Sequence, residues 1–168
     1  IIGAMASFPT ERVPLISPTV SHKHLRYKEL KRLLDTGGAA FFLVALSPLS
    51  LIIAALIRLT SGAPVLYRQQ RVGLHGKVFT LLKFRTMVRE SELHGPEFVH
   101  ENDRRLTRVG RILRRFHLDE LPQLYNVILN DMSLIGPRPE RPYYYNELVQ
   151  PIHIYADRLE VKPRINGR

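Results

Sequence analysis

The sequence predicts a membrane-associated α/β chain of the α+β kind, with a re-entrant membrane helix, a short β-hairpin and amphipathic interfacial helices in a small cytoplasmic domain. Three observations carry that expectation. Residues 36–57 form a 22-residue run without a charge, broken near its centre by Ser47-Pro48. Residues 64–87 alternate around a glycine turn, and the stretch from 103 to 130 repeats its apolar positions at helical spacing.

The length of 168 residues suits one domain with a real core, assigned to residues 21–168. Residues 1–20 hold three prolines and no helical period, and are set aside as disordered or left over from cloning. A net charge of +10 draws polyanions, whether nucleic acid, an anionic membrane or phosphorylated small molecules. The absence of cysteine excludes disulfides, thiolate metal sites and a cysteine nucleophile, so any chemistry uses oxygen or nitrogen.

As one straight helix, residues 36–57 would measure about 33 Å, enough for a bilayer core of about 30 Å. Pro48, however, lacks an N–H and crowds the carbonyl four residues back, so the helix should kink or break there. Neither half then spans alone. The freed carbonyl needs a partner at membrane depth, which the Ser47 hydroxyl or neighbouring protein can supply. Basic residues flank both sides: Lys23, Arg26, Lys28, Lys31 and Arg32 before, and Arg58, Arg68, Arg71, Lys77, Lys83 and Arg85 after. The positive-inside tendency keeps both flanks cytoplasmic, which ranks a re-entrant helix ahead of a bitopic span and both ahead of a soluble core helix.

Residues 64–87 read as two strands around a turn at 73–76. In the second strand the period of two puts Phe79, Leu81, Lys83 and Arg85 on one face and Val78, Thr80, Leu82 and Phe84 on the other. Residues 103–118 read as an amphipathic helix with Leu106, Val109, Leu113 and Phe116 in one stripe, Arg104, Arg108, Arg111 and Arg115 opposite, and Arg114 between. That pattern suits a core-facing helix with a solvated face, an RNA-binding helix, or a helix lying on anionic headgroups.

The next helix starts at Asp119 as N-cap, with Pro122 in the first turn, Leu121, Leu124, Tyr125, Ile128 and Leu129 at helical spacing, and Asn130 in the left-handed C-terminal position. Taken singly, Asp119 is a cap and Glu120 a first-turn acid that suits the helix dipole. GPRPERP then biases the backbone to polyproline II, setting Arg138 and Arg141 on one side. Such guanidinium forks suit phosphate oxygens, although the segment also reads as a surface turn or a peptide ligand. A carboxylate can attack phosphorus only where cations neutralise the phosphates. Lys83 and Arg85, Arg114, and Arg138 and Arg141 offer such cations on three elements.

The Ser-Pro-broken helix, KFRTM and RRFHLDELPQLYNVILNDMSLIGPRP, in this order, resemble the bacterial sugar transferase family over residues 27–163. These are monotopic phosphoglycosyl transferases that prime glycan assembly on polyprenyl phosphate. The resemblance implies a re-entrant helix, an acidic dyad and Mg2+. It makes Asp119 the nucleophile on a UDP-sugar, with UMP released and the phosphosugar passed to undecaprenyl phosphate, as the first step of exopolysaccharide or O-antigen synthesis. Glu120 becomes its partner in metal or proton handling, with both carboxylates as metal ligands, while Lys83, Arg114 and Arg138 hold phosphates. Phosphate roles for Arg85 and Arg141 follow from spacing rather than from the family. The PRPERP form favours glucose or galactose.

The expected partners are thus a UDP-sugar, the polyprenyl phosphate and anionic lipids, not nucleic acid, at the cytoplasmic face of the bacterial inner membrane; a homodimer stays open. After Lys162-Pro163 the family continues with a glycine-rich segment and further helices where this chain reads RINGR, which suggests a catalytic domain cut from a longer protein. Two rivals remain. A non-enzymatic membrane-surface adaptor using GPRPERP as a ligand would release no UMP. An RNA-binding protein would lose affinity steeply with salt and leaves the apolar helix unexplained.

Overall fold

A computed structural model describes residues 23–88, 103–142 and 161–165. The expectation for residues 1–20 lies outside the described residues. The apolar segment folds into α1 (Lys23–Ala45) and α2 (Ser47–Ser61), bent by 60° at their junction. Pro48 sits in the first turn of α2, where its missing N–H costs no intrahelical bond. The Val44 carbonyl, four residues before it, accepts from Ser47 Oγ at 2.8 Å. Among the described residues no single helix is long and apolar enough to cross a bilayer, whereas the bent pair together has the length and composition.

β1 (Leu66–Val72) pairs antiparallel with β2 (Val78–Phe84), with Leu66 opposite Phe84 and Val72 opposite Val78. The connection is a 3-10 turn at Leu74–Gly76, in which His75 and Gly76 take φ of 54° and 74°. A lone hairpin is marginal in water. Here the outer edge of β2 is closed by a side chain: Leu82 N donates to Asn126 Oδ1 at 3.0 Å, and Asn126 Nδ2 donates to the Thr80 carbonyl at 2.8 Å.

Phe79 and Leu81 pack with Ala39, Leu124, Val127 and Met132, while Phe84 packs with Ile53, Ile57 and Leu113. Since successive strand residues face opposite ways, β2 lies between two apolar clusters. The bend lets α1 serve the first and α2 the second. The strand ends at Phe84, so the alternation expected to carry Lys83 and Arg85 on one face does not extend to Arg85.

α3 (Arg108–Arg115) is half the expected length. Residues 103–107 precede it as a turn, closed by Thr107, whose Oγ1 accepts from Gly110 N at 2.8 Å. Leu106 and Leu113 are buried as expected, but the helix has stopped at Phe116, which turns out to solvent and is 64% exposed. Arg104, Arg108, Arg111 and Arg115 are exposed.

α4 (Gln123–Ile128) also departs from the expected stripe. Its buried residues are Gln123, Leu124, Asn126 and Val127, while Tyr125 and Leu129 point outward, because the helix turns Asn126 in to meet the edge of β2. Asn130 takes the left-handed conformation, as expected. Asp119 is not its N-cap: it lies in a 3-10 turn at Leu118–Glu120, and Pro122 holds the cap position without a side-chain bond.

Candidate active site

His117, at φ 55°, reverses the chain after α3 and delivers Asp119 and Glu120 inward, each only 6% exposed. Two adjacent carboxylates are rarely buried together unless something pairs them. Lys83, one residue from the end of β2, supplies the first partner: its Nζ donates to Glu120 Oε1 at 2.7 Å. Arg114, in the last turn of α3, supplies the second charge and is held by its Nε donating to Thr86 Oγ1 at 2.9 Å. Glu120 Oε2 is buried without a hydrogen-bond partner.

Gly110 makes the approach of α3 feasible. A Cβ there would lie 2.0 Å from the Thr86 carbonyl oxygen, which also accepts from Thr107 N at 3.0 Å. Only a glycine lets the helix rest directly on the chain leaving β2, and that contact places Arg114.

Burial pushes the Asp119 carboxyl above the usual aspartate range. Lys83 pulls it down, Glu120 pushes it up and Arg114 pulls it down, with burial prevailing. The cations that the sequence places around Asp119 therefore do not, on balance, hold its pKa down. Burial likewise lowers the Arg114 guanidinium, with the Asp119 charge opposing. Asp119 therefore holds a proton more readily than an exposed aspartate until further positive charge arrives.

Among the described residues no cluster of three or more metal-ligating side chains occurs, so a closed protein cage for a metal is not built. Magnesium needs none: it keeps several waters and takes one or two carboxylates together with substrate phosphates. The unpartnered Oε2 of Glu120 beside the Asp119 carboxylate fits that demand.

The remaining predicted cations lie elsewhere. Arg85 is buried, and its Nη2 donates to the Ser61 and Gly62 carbonyls at the end of α2, where a cation suits the helix dipole. Arg138 and Arg141 belong to the GPRPERP segment, which is pinned to β1 by Val72 N donating to the Glu140 carbonyl at 2.9 Å. Arg71 joins them, with Nη1 donating to the Pro139 carbonyl at 2.9 Å. The structure thus brings Lys83 and Arg114 to the dyad, gathers Arg138 and Arg141 around Arg71, and sets Arg85 on the end of α2. Ser47 and Pro48 mark the helix break.

A family model described as bacterial sugar transferase matches residues 26–168. The chain belongs to the bacterial sugar transferase family. It is 38% identical over 180 residues, 98% of this chain, to the UDP-N-acetylgalactosamine-undecaprenyl-phosphate N-acetylgalactosaminephosphotransferase of Aeromonas hydrophila. It is also 44% and 42% identical, over 82% of its length, to the UDP-glucose:undecaprenyl-phosphate glucose-1-phosphate transferases of Caulobacter vibrioides and Escherichia coli. The chain spans 43%, 51% and 30% of those three relatives.

Three features of this bacterial sugar transferase were missed in its sequence. Arg71 was counted only as part of a basic flank. Asn126 did carry a signal, as an amide amid apolar residues. Ser133, fully buried, donates from Oγ to Asp35 Oδ2 at 2.7 Å, while Lys31 Nζ reaches the same oxygen at 2.8 Å and Leu134 N donates to Asp35 Oδ1 at 3.2 Å. That knot ties α1 to the segment leading into GPRPERP, and its only sequence trace is the Lys31 and Asp35 pair at helical spacing.

Proposed function

We propose that this chain is the catalytic part of a membrane-bound phosphoglycosyl transferase that moves a sugar phosphate from a UDP-sugar to undecaprenyl phosphate. The observation that carries the reading is the buried Asp119-Glu120 pair, with Glu120 bound by Lys83 and Asp119 facing the charge of Arg114. A structural role leaves Glu120 Oε2 unexplained, whereas a phosphoryl-transfer site uses it.

In the first step an Asp119 oxygen attacks the phosphorus bonded to the sugar. The bond to the bridging oxygen breaks and UMP leaves with its electron pair. In the second, a phosphate oxygen of the polyprenyl acceptor attacks the same phosphorus, the acyl phosphate bond breaks and Asp119 returns as a carboxylate. Two displacements let one site serve a water-soluble donor and a lipid acceptor in turn. Lys83 fixes Glu120, Arg114 stabilises charge developing beside Asp119, and Arg138 and Arg141 hold donor phosphates. Asp119 and Glu120 would hold magnesium, which neutralises diphosphate charge.

The membrane part of the reading rests on exposure. Leu33, Leu34, Phe41, Val44, Leu51 and Leu59 are each at least 65% exposed along the bent pair, an apolar surface suited to lipid rather than water. Residues 36–45 reach about 15 Å, half a bilayer core, before the break. With both flanks basic, the pair enters and leaves on the cytoplasmic side. The arginine face of α3, which packs on α2 through Leu113, Ile53 and Ile57, meets anionic headgroups there.

Incubating the protein with magnesium, undecaprenyl phosphate and, in turn, UDP-glucose, UDP-galactose and UDP-N-acetylgalactosamine tests the reaction. Release of UMP dependent on Asp119 is expected with at least one donor, glucose or galactose first. No release from any donor would leave the non-enzymatic adaptor standing.

A further inference from the structure

One cation on β1 plays no part in the dyad. Arg71 is half-buried and its guanidinium is fully directed. Nε and Nη2 donate to Gln69 Oε1 at 3.1 and 2.7 Å, while Nη1 donates to the Pro139 carbonyl at 2.9 Å. Gln69, two residues back on the same strand face, acts as the clamp. The next residue of β1 binds the next carbonyl, Val72 N to Glu140 O at 2.9 Å, so two consecutive peptides of GPRPERP are fixed by two consecutive residues of the strand. Farther on, Arg164 N holds the Pro137 carbonyl at 2.7 Å, and the backbone is thereby gripped on both sides of Arg138.

The grip gathers like charges. Burial, then Arg141 and Arg138, bring the Arg71 pKa down to about 10, with Glu140 and Tyr67 opposing. Three guanidiniums thus stand in one another's field with Glu140 offsetting only part of it, and the positive potential that remains suits an anion such as a diphosphate.

We propose that Arg71 is a positioning residue for the phosphate-binding arginines: by holding the Pro139 carbonyl next to Arg138, it aims Arg138 and Arg141 at the donor diphosphate. The proposal rests on the phosphoglycosyl-transfer reading. It also explains why an arginine stands there, because only a planar fork holds Gln69 and Pro139 at once. Arg71 reaches the substrate through its neighbours and is not itself a catalytic residue.

UDP with magnesium is the probe, with affinity and stoichiometry read by titration calorimetry on the full chain in detergent. Arg71→Gln is expected to weaken UDP binding at least tenfold at unchanged stoichiometry. Arg71→Lys, which keeps the charge but lacks the fork that holds Gln69 and Pro139 together, should weaken UDP binding nearly as far as Arg71→Gln. In an Arg138→Ala/Arg141→Ala background, adding Arg71→Gln should cost nothing further, since Arg71 acts through those residues. A merely structural role would lower stoichiometry at unchanged affinity, and that result overturns the proposal, as does full additivity or a wild type that does not bind UDP. If Arg71→Gln fails to fold, Gln69→Ala, which releases the fork but keeps the charge, must weaken UDP binding in the same way. A wild type that binds UDP yet never releases UMP from any donor would sink the transferase reading and leave the positioning role judged by these affinities alone.

Discussion

Gly110→Ala probes how Arg114 is delivered to the dyad. The added Cβ would lie 2.0 Å from the Thr86 carbonyl oxygen and 2.6 Å from its carbon, where ordinary contact begins at 3.4 Å. Both obstacles are backbone, so α3 and the chain leaving β2 must part by about 1.4 Å, the difference between 3.4 and 2.0 Å. That displacement takes the Thr107 N bond to Thr86 O, now 3.0 Å, and the Arg114 Nε bond to Thr86 Oγ1, now 2.9 Å, out of hydrogen-bond range. Overpacking costs about 1–3 kcal/mol, and alanine's better helix propensity returns up to about 1 kcal/mol. A net loss of about 1–2 kcal/mol is expected by chemical denaturation in detergent. Because a misplacement of about 1 Å costs on the order of 100-fold in rate, UMP release should fall about that much. A variant stabilised by about 1 kcal/mol with full turnover would show that α3 does not rest on Thr86, and the delivery of Arg114 would need another explanation.

Lys83→Met should cost about 3 kcal/mol by denaturation, because it leaves Glu120 buried with neither oxygen bonded; adding Glu120→Gln should recover most of it, and a loss under about 0.5 kcal/mol would mean the pair is solvated. Asp119 has a folded pKa above its ordinary 3.8, so its contribution is most favourable below that value and declines as pH rises through the folded pKa. Asp119→Asn should accordingly gain melting temperature over the wild type as pH rises from 4 to 8; a pH-independent difference would contradict the burial argument. Since the wild type has no cysteine, His24→Cys and His75→Cys can be labelled singly in sealed vesicles. Matching accessibility is expected, opposite accessibility would sink the re-entrant geometry, and Pro48→Ala, which restores a backbone donor, should shift the pair toward a straight span.

Local rules were legible where one residue decides the outcome. Pro48 dictated the bend, Ser47 supplied the bond to the freed carbonyl, the glycine turn set the hairpin and Asn130 took the left-handed position. Periodicity failed where tertiary contacts ended an element early. Phe116 lies past the end of α3 and Arg85 past the end of β2, so neither stripe reached them. Asp119 had the residue type of a cap, yet a 3-10 turn carries it inward before α4 begins. The dyad was visible as composition, but its pairing with Lys83, 37 positions earlier, depends on how β2 packs against that turn. The clamps by Arg71 on Pro139 and by Asn126 on β2 are similarly long-range and leave little trace in spacing.

The covalent role of Asp119 is tested most directly by intact-protein mass after incubation with UDP-sugar and magnesium, without acceptor. The mass should rise by one sugar phosphate, peptide mapping should place it on Asp119, and Asp119→Asn should show none. An adduct on Glu120, or full turnover by Asp119→Asn, would contradict the assignment.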